Sequence, residues 1–185
     1  MKKILSAQIY TTIIRGIPDL VLMLLVYFGG QVLINQIGPT LGYDEYIDIN
    51  PFVAGVSTIG FIFGAYLAET FRGAILAVPD GQLEAGYAYG MSGFKVFTRI
   101  LLPQMIRHAI PGFGNNWLVL MKTTALVSII GLNDMVRMAS LAAGATRMPF
   151  TFYMVIAINY LILTSISILI LNWLNKKYSV GIIKD

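Results

Sequence analysis

The sequence predicts an all-α integral membrane protein, a polytopic bundle of about four transmembrane helices with a helical loop on its cytoplasmic side. The prediction rests on an apolar composition, on long apolar stretches and on basic residues that flank those stretches. Of the 185 residues, 57% are hydrophobic and only 12% are charged, and the mean hydropathy is +0.74. A soluble domain normally carries about 25% charged residues, so the chain belongs in a bilayer.

Each apolar stretch is long enough to form a spanning helix, which needs about 20 apolar residues to cross a hydrocarbon core of about 30 Å. The four stretches cover residues 17–37, 52–76, 112–131 and 150–174. Their apolar character is continuous and lacks the alternation of a barrel strand, so we expect helices. The residues before the first stretch are expected to form a short polar lead-in, and residues 1–185 to form a single transmembrane domain.

Basic residues predict the orientation of the chain, because lysine and arginine close to helix ends favour the cytoplasmic side. They occur before the first span, in the loop of residues 77–111 and after the last span, as Lys2, Lys3, Arg15, Lys95, Arg99, Arg107, Lys176, Lys177 and Lys184. Residues 38–51 contain three acids and no lysine or arginine. We therefore expect both termini and the 77–111 loop in the cytoplasm, and the other two loops outside.

Several function classes are disfavoured by what the sequence lacks. A net charge of +4 could suggest nucleic-acid binding, but the basic residues lie beside apolar stretches and form no stripe. With no cysteine, the chain has neither a disulfide nor a thiolate metal site. The single histidine, His108, has no catalytic partner at a recognisable spacing, and the phosphate-binding motif G-x4-G-K-[ST] is absent. We expect no catalytic residue and no metal here, and nucleotide chemistry on another polypeptide.

The long basic loop carries signals for two short helices joined by a turn. Pro79 and Asp80 can open the first helix, with the aspartate as the capping acceptor. Gly90 suits the left-handed position at the end of that helix, and Ser92 can cap the second. Pro103 is expected to end the second helix or to kink it. These signals predict a compact helical hairpin on the cytoplasmic face.

The same loop contains Glu84-Ala85-Gly86, three residues, Gly90, nine residues and Ile100-x-Leu102-Pro103. This spacing resembles the EAA loop of ABC importer permeases, E-A-A-x3-G-x9-I-x-L-P, and departs from it only at Gly86, where alanine is usual. In that family the loop is a coupling helix that docks on an ATPase subunit. An ordinary amphipathic loop is the alternative. The resemblance implies a coupling role for Glu84, Ala85, Gly86, Gly90, Ile100, Leu102 and Pro103.

Residues 12–20, 64–75 and 114–128 further resemble the polar amino-acid permeases of the histidine/lysine/arginine/ornithine class, and most of all their Q-type membrane subunits. The likeness runs from about Tyr10 to Gly181. Members of that family begin with one more transmembrane helix, whereas this chain starts just before their second. We therefore expect the family's first helix to be absent from the bundle.

The resemblance implies a permease subunit of an ATP-driven importer, which forms the translocation path for polar or basic amino acids across the bacterial inner membrane. The implied partners are a dimer of ABC ATPase subunits, which would hold ATP and magnesium, and a second permease subunit that is a paralogue. An external amino-acid-binding protein would deliver the substrate. This chain itself is expected to need no cofactor and to be no enzyme.

Three alternatives stay open at this point. An ABC permease for another polar amino acid, such as glutamine, would share every feature named above. A secondary transporter driven by an ion gradient would favour inverted repeats, and the sequence shows no such repeat. A membrane-embedded enzyme is disfavoured because histidine, aspartate and glutamate are not clustered.

Charged residues at bilayer depth are costly and normally face the bundle interior or a water-filled cavity. Glu69 and Arg72 are three residues apart and are expected to form a local ion pair, with substrate contact as the alternative. Lys122 would repel a cationic substrate, so we expect it to be a structural or gating residue. Asp19 is expected to be an interfacial cap at the start of the first span.

Neutral polar residues of the third span are candidates for the translocation path. Asn116 and Thr123 share one helical face, and Asn115 lies on the adjacent face with Lys122. In related permeases the position of Asn116 is often acidic and can meet the cation of the substrate, whereas here it is an amide. With two residues of the second span included, the candidate path residues are Tyr66, Glu69, Asn115, Asn116 and Thr123.

Overall fold

The computed structural model describes residues 2–178, with the side chains of residues 9–178, and every regular element in that part of the chain is helical. The α-helices are α1 (Lys2–Gly16), α2 (Asp19–Leu24), α3 (Gly30–Ile37), α4 (Pro51–Leu76), α5 (Asp80–Ala88), α6 (Gly93–Val96), α7 (Leu102–Thr123), α8 (Met135–Thr146) and α9 (Pro149–Tyr178). Leu25–Gly29 and Phe97–Leu101 are π-helical turns, and Gly38–Leu41 and Thr124–Ser128 are 3-10 turns. The all-α prediction is confirmed, and Lys184 lies outside the described residues.

Three of the predicted spans coincide with helices long and apolar enough to cross a membrane. They are Asp19–Leu41, which joins α2 and α3 through a π-helical turn, and the helices α4 and α9. The third predicted span, residues 112–131, has the wrong bounds, because α7 begins at Leu102 and its regular hydrogen bonding ends at Thr123. Its N-terminal half contains Arg107 and His108, which lower the hydropathy of this helix. Apolar content alone therefore does not mark where the helix begins.

The polar lead-in predicted before the first span is a helix of 15 residues, α1. The Tyr10 hydroxyl donates a hydrogen bond to the carbonyl oxygen of Phe61 in α4, and the two rings meet edge to face with centroids 4.8 Å apart. Pro18 follows α1 and takes the N-cap position of α2, so Asp19 is the first helical residue and not the cap. A carboxylate in the first turn still interacts favourably with the helix dipole.

The chain divides into two compact units, Met1–Ala65 with Val119–Thr164, and Tyr66–Leu118 with Ser165–Asp185. In the first unit, a buried apolar cluster joins Met23 of α2, Ala54 of α4 and the 3-10 turn after α7, with Val127 and Ile130 as its other members. A Cβ atom at Gly55 would lie 2.9 Å from Cγ1 of Val127. The absence of a side chain at Gly55 therefore lets α4 approach this turn.

In the second unit, α7 packs on α9 through one small residue and one polar contact. A Cβ atom at Gly114 would lie 3.4 Å from Cδ2 of Leu171, which is ordinary contact at the tight limit. One turn further along α7, Nε1 of Trp117 donates a hydrogen bond of 3.2 Å to Oγ of Ser167. This hydrogen bond joins the facing sides of the two helices and gives the indole N–H an acceptor within the protein.

We predict that Gly55→Ala lowers the thermal unfolding midpoint of the detergent-solubilised protein, whereas Gly60→Ala leaves it unchanged or slightly raised. Both glycines lie in α4, but a Cβ atom at Gly60 would meet open space. The branched Val127 side chain has little rotational freedom to move away, and overpacking of this kind costs about 1–3 kcal/mol. Equal midpoints for the two variants would contradict the close approach at Gly55.

Candidate functional site

The hairpin predicted in the basic loop is present, and its turn follows the glycine prediction closely. Gly90 has a φ of 75°. The backbone N–H of Gly90 donates to the carbonyl of Tyr87 at 2.9 Å, and the N–H of Met91 donates to the carbonyl of Gly86 at 3.1 Å. These two bonds form a Schellman motif, which requires a left-handed residue at the position of Gly90. The predicted role of Gly90 in the turn is confirmed.

The two capping predictions for the hairpin have different outcomes. Pro79 occupies the N-cap of α5 and Asp80 is the first helical residue, so the expected aspartate cap is wrong. Proline there has no side-chain acceptor, but Asp80 still lies in the first turn, where negative charge is favourable. Ser92 is the N-cap of α6, as predicted, although among the described residues its hydroxyl makes no capping hydrogen bond.

The second helix of the hairpin is not short. α6 continues through the π-helical turn of Phe97–Leu101 directly into α7, and Pro103 is the second residue of α7. Pro103 therefore does not end the helix, and the alternative expectation of a kink there stays a prediction. Proline is tolerated in a first turn because it lacks only the N–H donor, and the preceding π-helical turn already departs from the regular bond pattern. The hairpin and α7 are thus one continuous helical path.

Residues of the EAA-like motif occupy different environments within this hairpin. Gly86 is buried, and a Cβ atom there would lie 2.6 Å from Cδ1 of Ile100 and 3.2 Å from Cγ2 of Val96. Its small size therefore serves the packing of α5 against the second helix. Glu84 and Ala85 are exposed on α5. The motif thus divides into an inner residue that closes the hairpin and outer residues that a partner can reach.

An open groove of about 510 Å³ runs along the hairpin. It is lined by Gln82, Ala85, Gly86, Tyr89, Met91, Arg99, Ile100 and Gln104. Across it, Nε2 of Gln104 donates a hydrogen bond of 2.6 Å to Oε1 of Gln82. Sequence reasoning missed this pair, because 22 residues separate its members and no spacing rule joins them. Tyr89 is 90% exposed beside the groove, which leaves a large aromatic side chain available for contact.

The predicted path residues of α4 lie beside a polar contact with α7. Tyr66, Glu69 and Thr70 share one face of α4, since they are three and four residues apart. Nδ2 of Asn116 donates a hydrogen bond of 2.8 Å to Oγ1 of Thr70. A Cβ atom at Gly112 would lie 2.8 Å from Cγ2 of Thr70, so this glycine permits the close approach. The structure therefore brings Asn116 to the face that carries Tyr66 and Glu69.

The local ion pair predicted for Glu69 and Arg72 is present. Nη1 of Arg72 lies 3.3 Å from Oε2 of Glu69, and the two side chains are 59% and 27% exposed, respectively. A pair this exposed contributes little to stability. Its more important effect is to hold the Glu69 carboxylate close to a compensating charge.

Asn115 lies apart from Asn116. It faces a cavity of about 280 Å³ that is lined by Pro111, Gly114 and Leu118 of α7 and by Leu171, Asn172 and Asn175 of α9, with Ile110 and Ile168 beside them. Sequence reasoning missed the two asparagines of α9. The sequence feature that could have identified them is a pair of amides three residues apart at the C-terminal end of the last span.

Thr123 and Lys122, the other polar candidates of α7, lie in the first unit. The buried Thr123 hydroxyl donates to the carbonyl of Val119 at 3.1 Å, within its own helix. Lys122 is exposed and lines an open cavity of about 380 Å³ with Tyr160 and Thr164 of α9. Within the part of the chain that the structure describes, no group of three or more His, Cys, Asp or Glu could hold a metal ion.

A protein-family model described as a binding-protein-dependent transport system inner membrane component matches residues 5–180. The chain belongs to this family. Members are permease components of transport systems, so this chain is a membrane transport protein and not an enzyme. The helices long and apolar enough to span a membrane agree with that assignment.

Individual members of the family are closely similar. The histidine/lysine/arginine/ornithine transport system permease protein HisQ of Escherichia coli (strain K12) is 51% identical over 173 residues, which cover 94% of this chain and 75% of HisQ. The octopine transport system permease protein OccQ of Rhizobium meliloti is 46% identical, over 88% of this chain and 68% of OccQ. A crystal structure of an amino acid ABC transporter with histidines has a TM-score of 0.80 and 34% identity, and the match covers 94% of this chain and 75% of that one.

We predict that Asn116 and Thr70 of this permease are energetically coupled. In a double-mutant cycle with Asn116→Ala and Thr70→Val, unfolding in detergent should give a coupling energy of about 1 kcal/mol, as expected for one partly buried hydrogen bond. The matched control is Asn115→Ala with Thr70→Val. Asn115 is the neighbouring amide, but it lines the cavity between α7 and α9. Its coupling should be close to zero, and equal coupling in both cycles would contradict the contact.

Proposed function

We propose that this chain is the permease subunit of an ATP-driven importer and forms the translocation path for polar or basic amino acids. The observation that carries the proposal is its close identity, over nearly its whole length, to a permease of a histidine/lysine/arginine/ornithine transport system. The octopine transport system permease protein OccQ is also similar. The substrate class of histidine, arginine, lysine and ornithine follows from these likenesses.

The hairpin is the element through which we propose that ATP hydrolysis acts. The importer would contain two ATPase subunits that hold ATP and magnesium and close on the hairpins of two permease subunits. Supporting this role, Glu84 and Ala85 are exposed beside the groove, and the Schellman turn at Gly90 gives the hairpin a fixed shape. A rigid element transmits the motion of a partner better than a flexible loop.

In the proposed topology, the chain lies in the bacterial inner membrane with both termini and the hairpin in the cytoplasm. The support is the distribution of basic residues, which flank the spans on that side. Residues 38–51 then face outward, where an external amino-acid-binding protein delivers the substrate. In this proposal, residues 1–185 form a single transmembrane domain, and the loop of about residues 77–111 is its cytoplasmic coupling element.

The second permease subunit in this proposal is a paralogue, because this chain is poorly equipped to bind a cation. A cationic amino acid that enters the bilayer needs compensation for its lost hydration. Helices α7 and α9 contain no aspartate or glutamate. Asn116 is neutral and already donates to Thr70, and Glu69 is paired with Arg72. The main cation site is therefore assigned to the other subunit, with Asn116 and the nearby Tyr66 as an auxiliary surface, while Asn115 and Thr123 stay separate candidates for the path.

Coupling through the hairpin predicts that Gly90→Val and Glu84→Lys lower uptake while the protein still inserts into the membrane. Valine is strained at a φ of 75°, and left-handed backbone costs about 1–2 kcal/mol for a residue with a side chain, so we expect uptake to fall about tenfold. The measurement is ATP-dependent and binding-protein-dependent uptake of labelled arginine or histidine by vesicles that contain the complex. Co-purification of the ATPase is measured on the same material.

The matched control for the turn is Gly81→Val, because Gly81 lies in α5, the helix that the turn at Gly90 follows, is exposed and leaves open space for a side chain. It should retain uptake and ATPase binding. Unchanged uptake and ATPase binding in both Gly90→Val and Glu84→Lys would contradict the coupling role. Uptake by the wild-type complex without ATP, driven by an ion gradient alone, would contradict the proposed function itself.

The proposed asymmetry predicts unequal effects of removing polar groups from the two permease subunits. Asn116→Ala should lower arginine uptake about fivefold, the effect of losing one neutral hydrogen bond, whereas removing membrane-embedded acids from the paralogue should lower it about a hundredfold. Determining the structure of the complex with bound arginine would locate the ligand directly. A homodimer with two equivalent ligands, each contacted mainly by Glu69, would overturn the proposal.

A further inference from the structure

The segment of residues 43–50, which follows the first span, is held in place by two amide side chains of α3. Oε1 of Gln31 accepts a hydrogen bond of 2.8 Å from the N–H of Ile49. Oδ1 of Asn35 accepts one of 2.8 Å from the N–H of Ile47, and its Nδ2 donates one of 2.9 Å to the Ile47 carbonyl. Nε2 of Gln31 donates to the same carbonyl. We call these two residues the amide clamp.

The clamp gives the segment two distinct sides. Ile47 and Ile49 are half-buried, and Ile49 packs against the apolar cluster around Met23. Tyr46 and Asp48, at the alternate positions, are exposed. One side of the segment is therefore fixed to the protein, and the other is presented to its surroundings.

The approach of the segment to α3 is tightest at Gly38, after the end of that helix. A Cβ atom at Gly38 would lie 3.2 Å from the carbonyl oxygen of Tyr43, and one at Gly30 would lie 3.5 Å from Cδ1 of Ile49. The segment thus runs back along α3 from its end towards its start. Ordering a backbone segment costs about 1–2 kcal/mol per residue, which a simple connection between two spans does not need.

The exposed side has the composition of an interaction surface. Tyr43 and Tyr46 are 66% and 72% exposed, and tyrosine is enriched where proteins meet. Asp44, Glu45 and Asp48 are exposed between and beside them, and residues 38–51 include no lysine or arginine. A partner with a basic contact surface would complement this charge and be steered towards it.

We propose that the clamped segment is a docking surface for the external amino-acid-binding protein, and that this partner contacts it through a surface rich in lysine or arginine. Gln31 and Asn35 act as positioning residues, because they order the segment before the partner arrives and so remove that cost from binding. The inference rests on the proposed function and on its outward placement of residues 38–51. It adds the site of docking and the charge of the partner's surface.

The test uses a double variant that carries both Gln31→Leu and Asn35→Leu. Its control is the single variant Gln36→Leu. Gln36 is an exposed amide on the same helix, so the control makes the same chemical change outside the clamp. Leucine favours membrane insertion, so both variants keep the first span in the bilayer. The full complex in proteoliposomes is titrated with binding protein, and ATP hydrolysis is followed. The concentration for half-maximal stimulation should rise about tenfold in the clamp variant, through lost pre-ordering, and remain unchanged in the control.

A purely structural role would instead reduce the amount of assembled complex or its basal ATP hydrolysis and leave the half-maximal concentration unchanged, and that result overturns the proposal. A second variant, Tyr46→Ser with Asp48→Asn, keeps every clamp bond and decides the matter if the clamp variant fails to assemble. It should raise the half-maximal concentration and weaken its dependence on salt. An unchanged titration for this variant also overturns the inference. Absence of ATP hydrolysis in the assembled wild-type complex would instead count against the proposed function.

Discussion

Polar groups inside a bilayer need partners within the protein, because lipid offers no hydrogen bonds, and this constraint governs the structure of the spans. The backbone meets it by being helical, and polar side chains meet it by bonding to the preceding turn. The Thr70 hydroxyl donates to the carbonyl of Tyr66 at 3.0 Å, and the Asn159 amide donates to that of Val155 at 3.0 Å. Thr123 does the same within α7. Each of these three side chains therefore bonds within its own helix and needs no partner from lipid.

Contacts between helices follow the same constraint, with glycine supplying the necessary proximity. Asn116 reaches Thr70 where Gly112 lets α7 approach α4. The amide clamp reaches the backbone of the 43–50 segment where Gly30 and Gly38 leave room. Small residues beside polar ones are the usual means of association where burial from water cannot drive it. The same pairing of a glycine with a polar contact therefore positions both the candidate path and the proposed docking surface.

Sequence reasoning succeeded where a signal is local. A glycine at the end of an amphipathic turn predicted the left-handed residue at Gly90, and continuous apolar content predicted α4 and α9. It failed at α7, because apolar content marks lipid contact and not helix ends, and the helix starts among basic residues. The bonds from Asn116 to Thr70 and from Gln31 to Ile49 join residues 46 and 18 positions apart. Such pairs have no spacing rule, so only the fold reveals them.

The continuity of the helix at Pro103 bears on how the proposed coupling would work. A separate short helix would have placed a joint between the hairpin and the membrane, and movement of the hairpin could be lost there. Instead, helical backbone runs without a break from Gly93 through the π-helical turn into α7 and on to Asn116. Displacement of the hairpin by an ATPase would therefore reach the bond between Asn116 and Thr70 along one continuous element. The regular bond pattern is broken at two places in that element, the π-helical turn and Pro111 inside α7, and bending is easiest there.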